Sequence, residues 1–99
     1  MKYQVIWKEK ARNDYLQIVE YLREEHGRKS ALKFIDRVDT VTRYIVQSPY
    51  IYPGSKKKDI RKAFINKHNS MYYKVREEAN TVEFLFFWNN RRNPDDLPI

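Results

Sequence analysis

The stretch Thr81-Val82-Glu83-Phe84-Leu85-Phe86-Phe87-Trp88, which runs directly into Asn89-Asn90-Arg91-Arg92-Asn93-Pro94, decides how this chain is read. A run this dense in β-branched and aromatic side chains favours a strand, and apolar residues on both of its faces place it inside a sheet rather than at an edge. Two arginines follow as soon as the run stops. The scaffold therefore delivers positive charge to the rim of a sheet.

Working back from that strand, Ile60 to Asn66 and Met71 to Arg76 are two further strand-like runs, linked by Lys67-His68-Asn69-Ser70 and by Glu77-Glu78-Ala79-Asn80. Links so short join antiparallel neighbours, which makes the three runs a meander. In the first of them Ile60 and Ala63 or Phe64 are expected inward and Arg61 outward. Upstream, Ala11, Tyr15, Ile18 and Leu22 recur every three or four residues, from about Glu9 to His26-Gly27, where a glycine ends the helix. A second stripe, Ala31, Phe34, Ile35, Val38, Val41 and Ile45, begins near Lys29 or Ser30 and stops at Ser48-Pro49. The link between these helices is too short for anything but an antiparallel pair. Tyr3, Val5 and Trp7 alternate with Gln4 and Ile6 as a short N-terminal strand.

The expected fold is therefore α+β: an N-terminal strand, an antiparallel two-helix hairpin and a three-stranded antiparallel meander, forming one mostly antiparallel sheet. The helices cover one face and the other is left free for function. Tyr50 to Lys58 reads as a connection over the surface, and Asn93 to Ile99 as a tail.

With 99 residues and 41% hydrophobic content, the chain is expected to form one domain over 1–99. It has no cysteine, so disulfides and thiolate metal sites are excluded. Neither a signal peptide nor a membrane span is recognisable, and a soluble cytoplasmic protein is expected. The formal charge is +7, with a pI near 9.7. The excess is regional, since Lys56, Lys57, Lys58, Arg61, Lys62, Lys67, Lys74 and Arg76 face only Asp59 over that span. Such clustering points to a polyanion or an acidic protein as partner.

The only histidines, His26 and His68, lie far apart, and the only glycines are Gly27 and Gly54. No metal site, no phosphate-cradling loop and no cofactor are expected. The serines sit in capping or turn contexts without a triad pattern. His68, beside Lys67 in a turn, is a candidate acid or base near neutral pH, whereas His26 reads as a helix-terminal residue. Arg61, Lys62, Lys67, Arg91 and Arg92 form a phosphate- or carboxylate-binding group if the first meander strand lies near the end of the last. Tyr72, Tyr73 and Trp88 are either stacking platforms beside that group or core residues. Alanine at Arg61, Arg91 or Arg92 is expected to relieve activity with little change in stability.

Val5-Ile6-Trp7, Ile18-Val19-Glu20-Tyr21-Leu22, Ala31, Phe34 and Pro49 in the first half, then Asp59-Ile60-Arg61-Lys62, Lys67-His68-Asn69-Ser70-Met71-Tyr72-Tyr73-Lys74-Val75 and Phe87-Trp88-Asn89-Asn90-Arg91-Arg92-Asn93-Pro94, together resemble the RelE/ParE superfamily. These are toxins of type II toxin–antitoxin systems, and the likeness is to the plasmid-stabilisation, ParE-like branch. The resemblance implies a basic toxin that arrests growth, a cognate antitoxin that neutralises it, and contact with operator DNA only through the toxin–antitoxin complex. A homodimer stays open. ParE-like members block DNA gyrase by binding. RelE-like members are ribosome-dependent mRNA endoribonucleases, and the fold is common to both.

On the binding reading, target contact is expected at Arg61, Lys62, Trp88, Arg91 and Arg92. On the nuclease reading, catalysis falls to Arg61, Lys67, His68, Arg91 and Arg92, with no metal, the cations stabilising a phosphorane-like transition state. The nuclease branch carries a tyrosine or a histidine–tyrosine pair near its C-terminus, and Asn93 to Ile99 contains neither. Binding is therefore favoured, with cleavage second and an inactive toxin-like component that binds antitoxin or DNA third.

Overall fold

The two apolar stripes fold into α1 (Glu9–His26) and α2 (Arg28–Gln47), an antiparallel pair lying on one face of a sheet. The structure, a computed structural model, describes residues 3–55 and 59–99; Met1, Lys2 and Lys56 to Lys58 of the cationic run lie outside the described residues. Gly27 separates the helices with φ 94° and ψ 165°, a region that is nearly glycine's alone. A Cβ there would meet nothing within 4 Å, so the requirement is one of backbone conformation and not of space.

The sheet contains β1 (Gln4–Trp7), β2 (Ile60–Phe64), β3 (Asn69–Arg76) and β4 (Thr81–Asn89), in the order β1-β4-β3-β2. As the composition of β4 demands, it lies inside the sheet, antiparallel to β3 and parallel to β1 from Gln4↔Thr81 to Trp7↔Phe84. The pairing slips between Tyr72↔Phe86 and Tyr73↔Phe84, which leaves Leu85 as the extra residue of a bulge. That bulge explains why β4 is apolar on both faces. Val82, Phe84 and Phe87 join Phe34, Val41, Ile45, Met71 and Tyr73 in the core beneath the helices, while Phe86 and Trp88 turn to the opposite face.

The opposite face is not free. Tyr72, Phe86 and Trp88 are buried there, the first two rings stacked at 4.8 Å, with Ile60, Leu85 and Leu97 packed against them. Leu97 comes from the segment read as a tail, which instead forms a 3-10 turn over Pro94–Asp96, with the Asn93 side chain accepting from the Asp95 N–H at 3.0 Å. Ile60, expected beneath the helices, also belongs to this second layer. Ala63 faces the core as expected, and Phe64 is exposed. Among the described residues no helix is long and apolar enough to cross a membrane.

Three tyrosines pin the chain ends of these elements. The buried Tyr73 hydroxyl donates to Pro49 O at 2.6 Å, tying β3 to the segment after α2, and burial pushes its pKa up to about 12. On the surface, Tyr3 and Tyr50 both donate to Glu77 Oε1, at 3.0 and 2.5 Å, joining the N-terminus and the post-helix segment to the β3–β4 turn. Those bonds hold the Glu77 carboxyl below its usual pKa of 4.5, and the bond to Glu77 raises Tyr50 to about 12. Both directions translate into stability. Glu77, depressed on folding, stabilises above its unfolded pKa, and its contribution disappears as pH falls through the folded value. Tyr50, raised on folding, stabilises fully below pH 10.0 and loses that contribution as pH climbs toward about 12. Glu77→Gln is therefore expected to flatten both limbs of the melting temperature against pH, at acid pH and above pH ~10; an unchanged profile would show the latch to be idle.

Candidate functional site

An antiparallel meander returns its third strand in the direction of its first, so the C-terminal ends of β2 and β4 meet at one edge of the sheet, where β3 begins. Two turns converge there: Asn66 to Asn69 after β2 and Asn89 to Arg92 after β4. The second half of α1 forms the facing wall. Between them is an open cleft of about 530 Å³ with Ile18, Leu22 and Phe87 among its apolar residues and His68, Arg91, Arg92, His26 and Tyr21 among its polar ones.

Each turn is built by its own asparagine. Asn66 Oδ1 accepts from the backbone N–H of His68 at 2.9 Å and of Asn69 at 2.8 Å, the pattern by which an asparagine closes a turn on itself. Asn89 Oδ1 accepts from Arg91 N–H at 2.9 Å, and Asn89 O accepts from Arg92 N–H at 3.0 Å. Because β1 ends at Trp7, the outer edge of β4 beyond Phe84 has no partner strand among the described residues, and Asp14 of α1 takes its place by accepting from Phe87 N–H at 3.0 Å. The same carboxylate pairs with Lys10 at 3.2 Å. The acid in the cleft lining is thus already engaged.

No ion pair among the described residues involves Arg91 or Arg92. Arg92 lies over the Trp88 ring, its guanidinium carbon 4.4 Å from the centroid, an arrangement that orients the group without consuming its charge. Trp88 is buried beneath it, at 6% exposure, so the indole seats Arg92 instead of offering a bare stacking surface. Desolvation at the cleft wall, followed by the charges of Arg91, Lys67 and His26, lowers the His68 pKa from 6.5, which leaves the imidazole neutral at pH 7. The chemistry available is a bidentate anion clamp beside a neutral histidine.

His68, Arg91, Arg92 and Trp88 therefore come together. Lys67 lies next to them, lining an adjoining groove between α2 and β2. Lys62 is exposed in the middle of β2, paired with Tyr72, and does not line the cleft. Tyr72 and Tyr73 are core residues of the two apolar layers. Tyr21 and His26, whose rings meet edge-on at 5.7 Å, escaped the sequence reading as site residues. The available signal was Tyr21 itself, an aromatic off the apolar stripe of α1, and it is exposed. Among the described residues there is no group of three or more His, Asp or Glu that would hold a metal ion.

Arg61 requires correction. It was expected outward, but it pairs with the core residue Tyr73 and alternates with Ala63 and Ile65, which puts it on the helix side at the end of β2 away from His68. Its guanidinium donates to Tyr52 O at 2.8 Å, lies 3.6 Å from Asp59 Oδ1 and covers the Tyr50 ring at 4.6 Å. Gly54 is in close contact: a Cβ there would come within 3.0 Å of the Arg61 stem. Arg61 is the peg that holds the segment after α2. Arg61→Ala is accordingly expected to cost about 1–3 kcal/mol in denaturant unfolding, with any loss of activity following the loss of folded protein. Unchanged stability with lost activity would return Arg61 to the site.

Comparison with known proteins agrees with this architecture. The family model described as "ParE toxin of type II toxin-antitoxin system, parDE" matches residues 5–94. No curated protein matches the chain. Among solved structures, the chromosomal ParDE toxin–antitoxin system from P. aeruginosa superposes with a TM-score of 0.71 at 18% identity, covering 89% of this chain and 96% of that one. The RelBE2 toxin–antitoxin complex from Mycobacterium tuberculosis gives 0.65 at 14%, covering 90% and 99%. The isolated E. coli RelE toxin gives 0.64 at 14%, covering 94% and 89%. At these identities the structural likeness is one of fold. The family match, running from β1 through both helices and the meander to the residues after Arg92, is what establishes kinship: this chain belongs to the ParE toxin family of type II toxin–antitoxin systems.

Proposed function

We propose that this toxin arrests growth by binding its target through the cleft at the ends of β2 and β4, with Arg91 and Arg92 as the principal contacts and DNA gyrase as the target the family implies. One observation carries the reading: two arginines, neither in an ion pair among the described residues, are held at the mouth of an open cleft by turns that the sheet itself positions. Preorganised guanidinium groups recognise carboxylate or phosphate at little ordering cost. Lys67 and Lys62 add positive potential on the way in.

A cognate antitoxin is the second partner, and contact with operator DNA runs through their complex. Leu16, Tyr21, Leu32 and Tyr44 on the helices and Phe64 on the edge strand β2 are exposed, which supports an antitoxin that covers apolar surface with an amphipathic helix or an added strand.

A ribosome-dependent endoribonuclease is the second reading, and His68 is the observation in its favour. An imidazole neutral at pH 7 beside Arg91 has the equipment to accept a 2′-hydroxyl proton while the arginine stabilises the phosphate. Expression from a tight promoter separates the readings. Filamentation with arrested replication and intact mRNA supports binding to gyrase; arrested translation with cut mRNA supports the nuclease. Absence of any growth defect supports an inactive component.

A further inference from the structure

Asn90 immediately precedes the two arginines, yet its hydrogen bonds go to the other turn. Its backbone N–H donates to His68 O at 2.8 Å, and its Nδ2 donates to Asn66 O and Lys67 O, each at 3.3 Å. Its Oδ1 accepts from Ser70 Oγ at 2.8 Å, and Ser70 is completely buried at the start of β3. A side-chain amide combines an acceptor and two donors in one plane; aspartate of the same length has no donor, and leucine has neither. The two turns that carry His68 and Arg91 are loop segments outside the strand ladders, and such segments open easily unless something ties them down. Asn90 supplies that tie, and its anchor Ser70 belongs to the rigid sheet.

We propose that Asn90 is the positioning residue of the cleft, locking the His68 turn to the Arg91–Arg92 turn so that imidazole and guanidinium are presented as one rigid unit. Its consequence for growth arrest rests on the reading of the cleft as the acting surface. The clamp itself is measurable without any target. Of the groups around the cleft, His68 faces Arg91 from the β4 exit, Lys67 from its own turn and His26 from α1, while Asp14, Tyr21 and Arg92 are the other ionisable side chains in the lining and Lys33, Asp36 and Arg37 of α2 line the adjoining groove that His68 also borders.

The test is an NMR titration of the His68 imidazole in the full chain. Arg91→Ala raises the His68 pKa in the native background, because a positive neighbour is removed. In the Asn90→Ala background the same substitution is expected to shift it by less than about half as much, since neighbours that interact are not additive once their geometry is lost. Ser70→Ala deletes only the hydroxyl that Asn90 Oδ1 accepts from and is expected to weaken the coupling in the same direction, so it tests the clamp should Asn90→Ala fold poorly. An equal Arg91→Ala shift with and without Asn90, or no shift in the native protein, overturns the proposal. Growth arrest is scored in parallel: loss of both coupling and arrest supports the clamp and the site together. Loss of coupling with full arrest supports the clamp and overturns the cleft as the acting surface.

Discussion

Replacing Arg91 and Arg92 together by alanine is expected to abolish growth inhibition while the melting temperature stays within a few degrees of the native value. Neither residue is in an ion pair among the described residues, and both are exposed. Exposed substitutions of this kind change stability by about 0.5 kcal/mol or less, with loss of the Arg92–Trp88 contact adding ~0.5–1 kcal/mol. A charge-assisted hydrogen bond to a target carboxylate or phosphate is worth about 1.5–3 kcal/mol, so removal of both arginines takes roughly 3–6 kcal/mol from binding. That corresponds to a loss of affinity on the order of 10²–10⁴-fold. Induced growth curves and thermal melts of the same variants check it. A steep fall in melting temperature would show the arginines to be structural.

Phe84→Ala is expected to produce a large loss of stability. Phe84 is fully buried in β4, paired with Trp7 on one side and Tyr73 on the other, with the Trp7 ring edge-on at 5.1 Å. It also sits beside the bulge at Leu85, where the two apolar layers of the sheet are sorted. Truncation of a buried phenylalanine costs about 3–5 kcal/mol, against a total of roughly 5–15 kcal/mol for a small domain. The variant is expected to lose most of its cooperative transition in urea and to cease inhibiting growth for want of folded protein. A loss below ~1 kcal/mol would mean that β4 is not the structural centre.

Phe84 and the Arg91–Arg92 pair, a few positions apart, show what the sequence makes legible. The density of apolar residues in Thr81 to Trp88 is enough to place β4 inside the sheet, and the short links around it are enough to make the meander. The reason both faces are apolar is not visible, because it depends on a single unpaired residue, Leu85, and on a C-terminal segment that brings Leu97 onto the layer of Tyr72, Phe86 and Trp88. Arg61 shows the opposite failure. A charged residue in an alternating strand is ordinarily read as facing solvent, and only the carbonyl of Tyr52, the ring of Tyr50 and the carboxylate of Asp59 make the helix side habitable for it.

That Arg91, Arg92 and His68 line one cleft was legible in part, because charge follows a strand directly at the first two and the third falls in a turn. Their convergence follows from chain direction alone, since first and third meander strands end at the same edge. The same argument places Arg61 away from that cleft, at the other end of β2. The contribution of α1 was out of reach, because Tyr21, His26 and Asp14 enter the cleft through the rotation of a helix against the end of a sheet, which no local pattern encodes. Asn90 was hidden for the same reason: its partners Asn66, Lys67, His68 and Ser70 belong to a different turn and strand.

The claim that this toxin acts by binding through the arginine rim is tested most directly by titrating purified native protein, and the Arg91→Ala/Arg92→Ala variant, into a DNA gyrase supercoiling reaction. The native protein is expected to inhibit supercoiling and the variant to leave it unaffected. Undiminished supercoiling in the presence of native protein, with mRNA cut on ribosomes by the same preparation, would contradict the account.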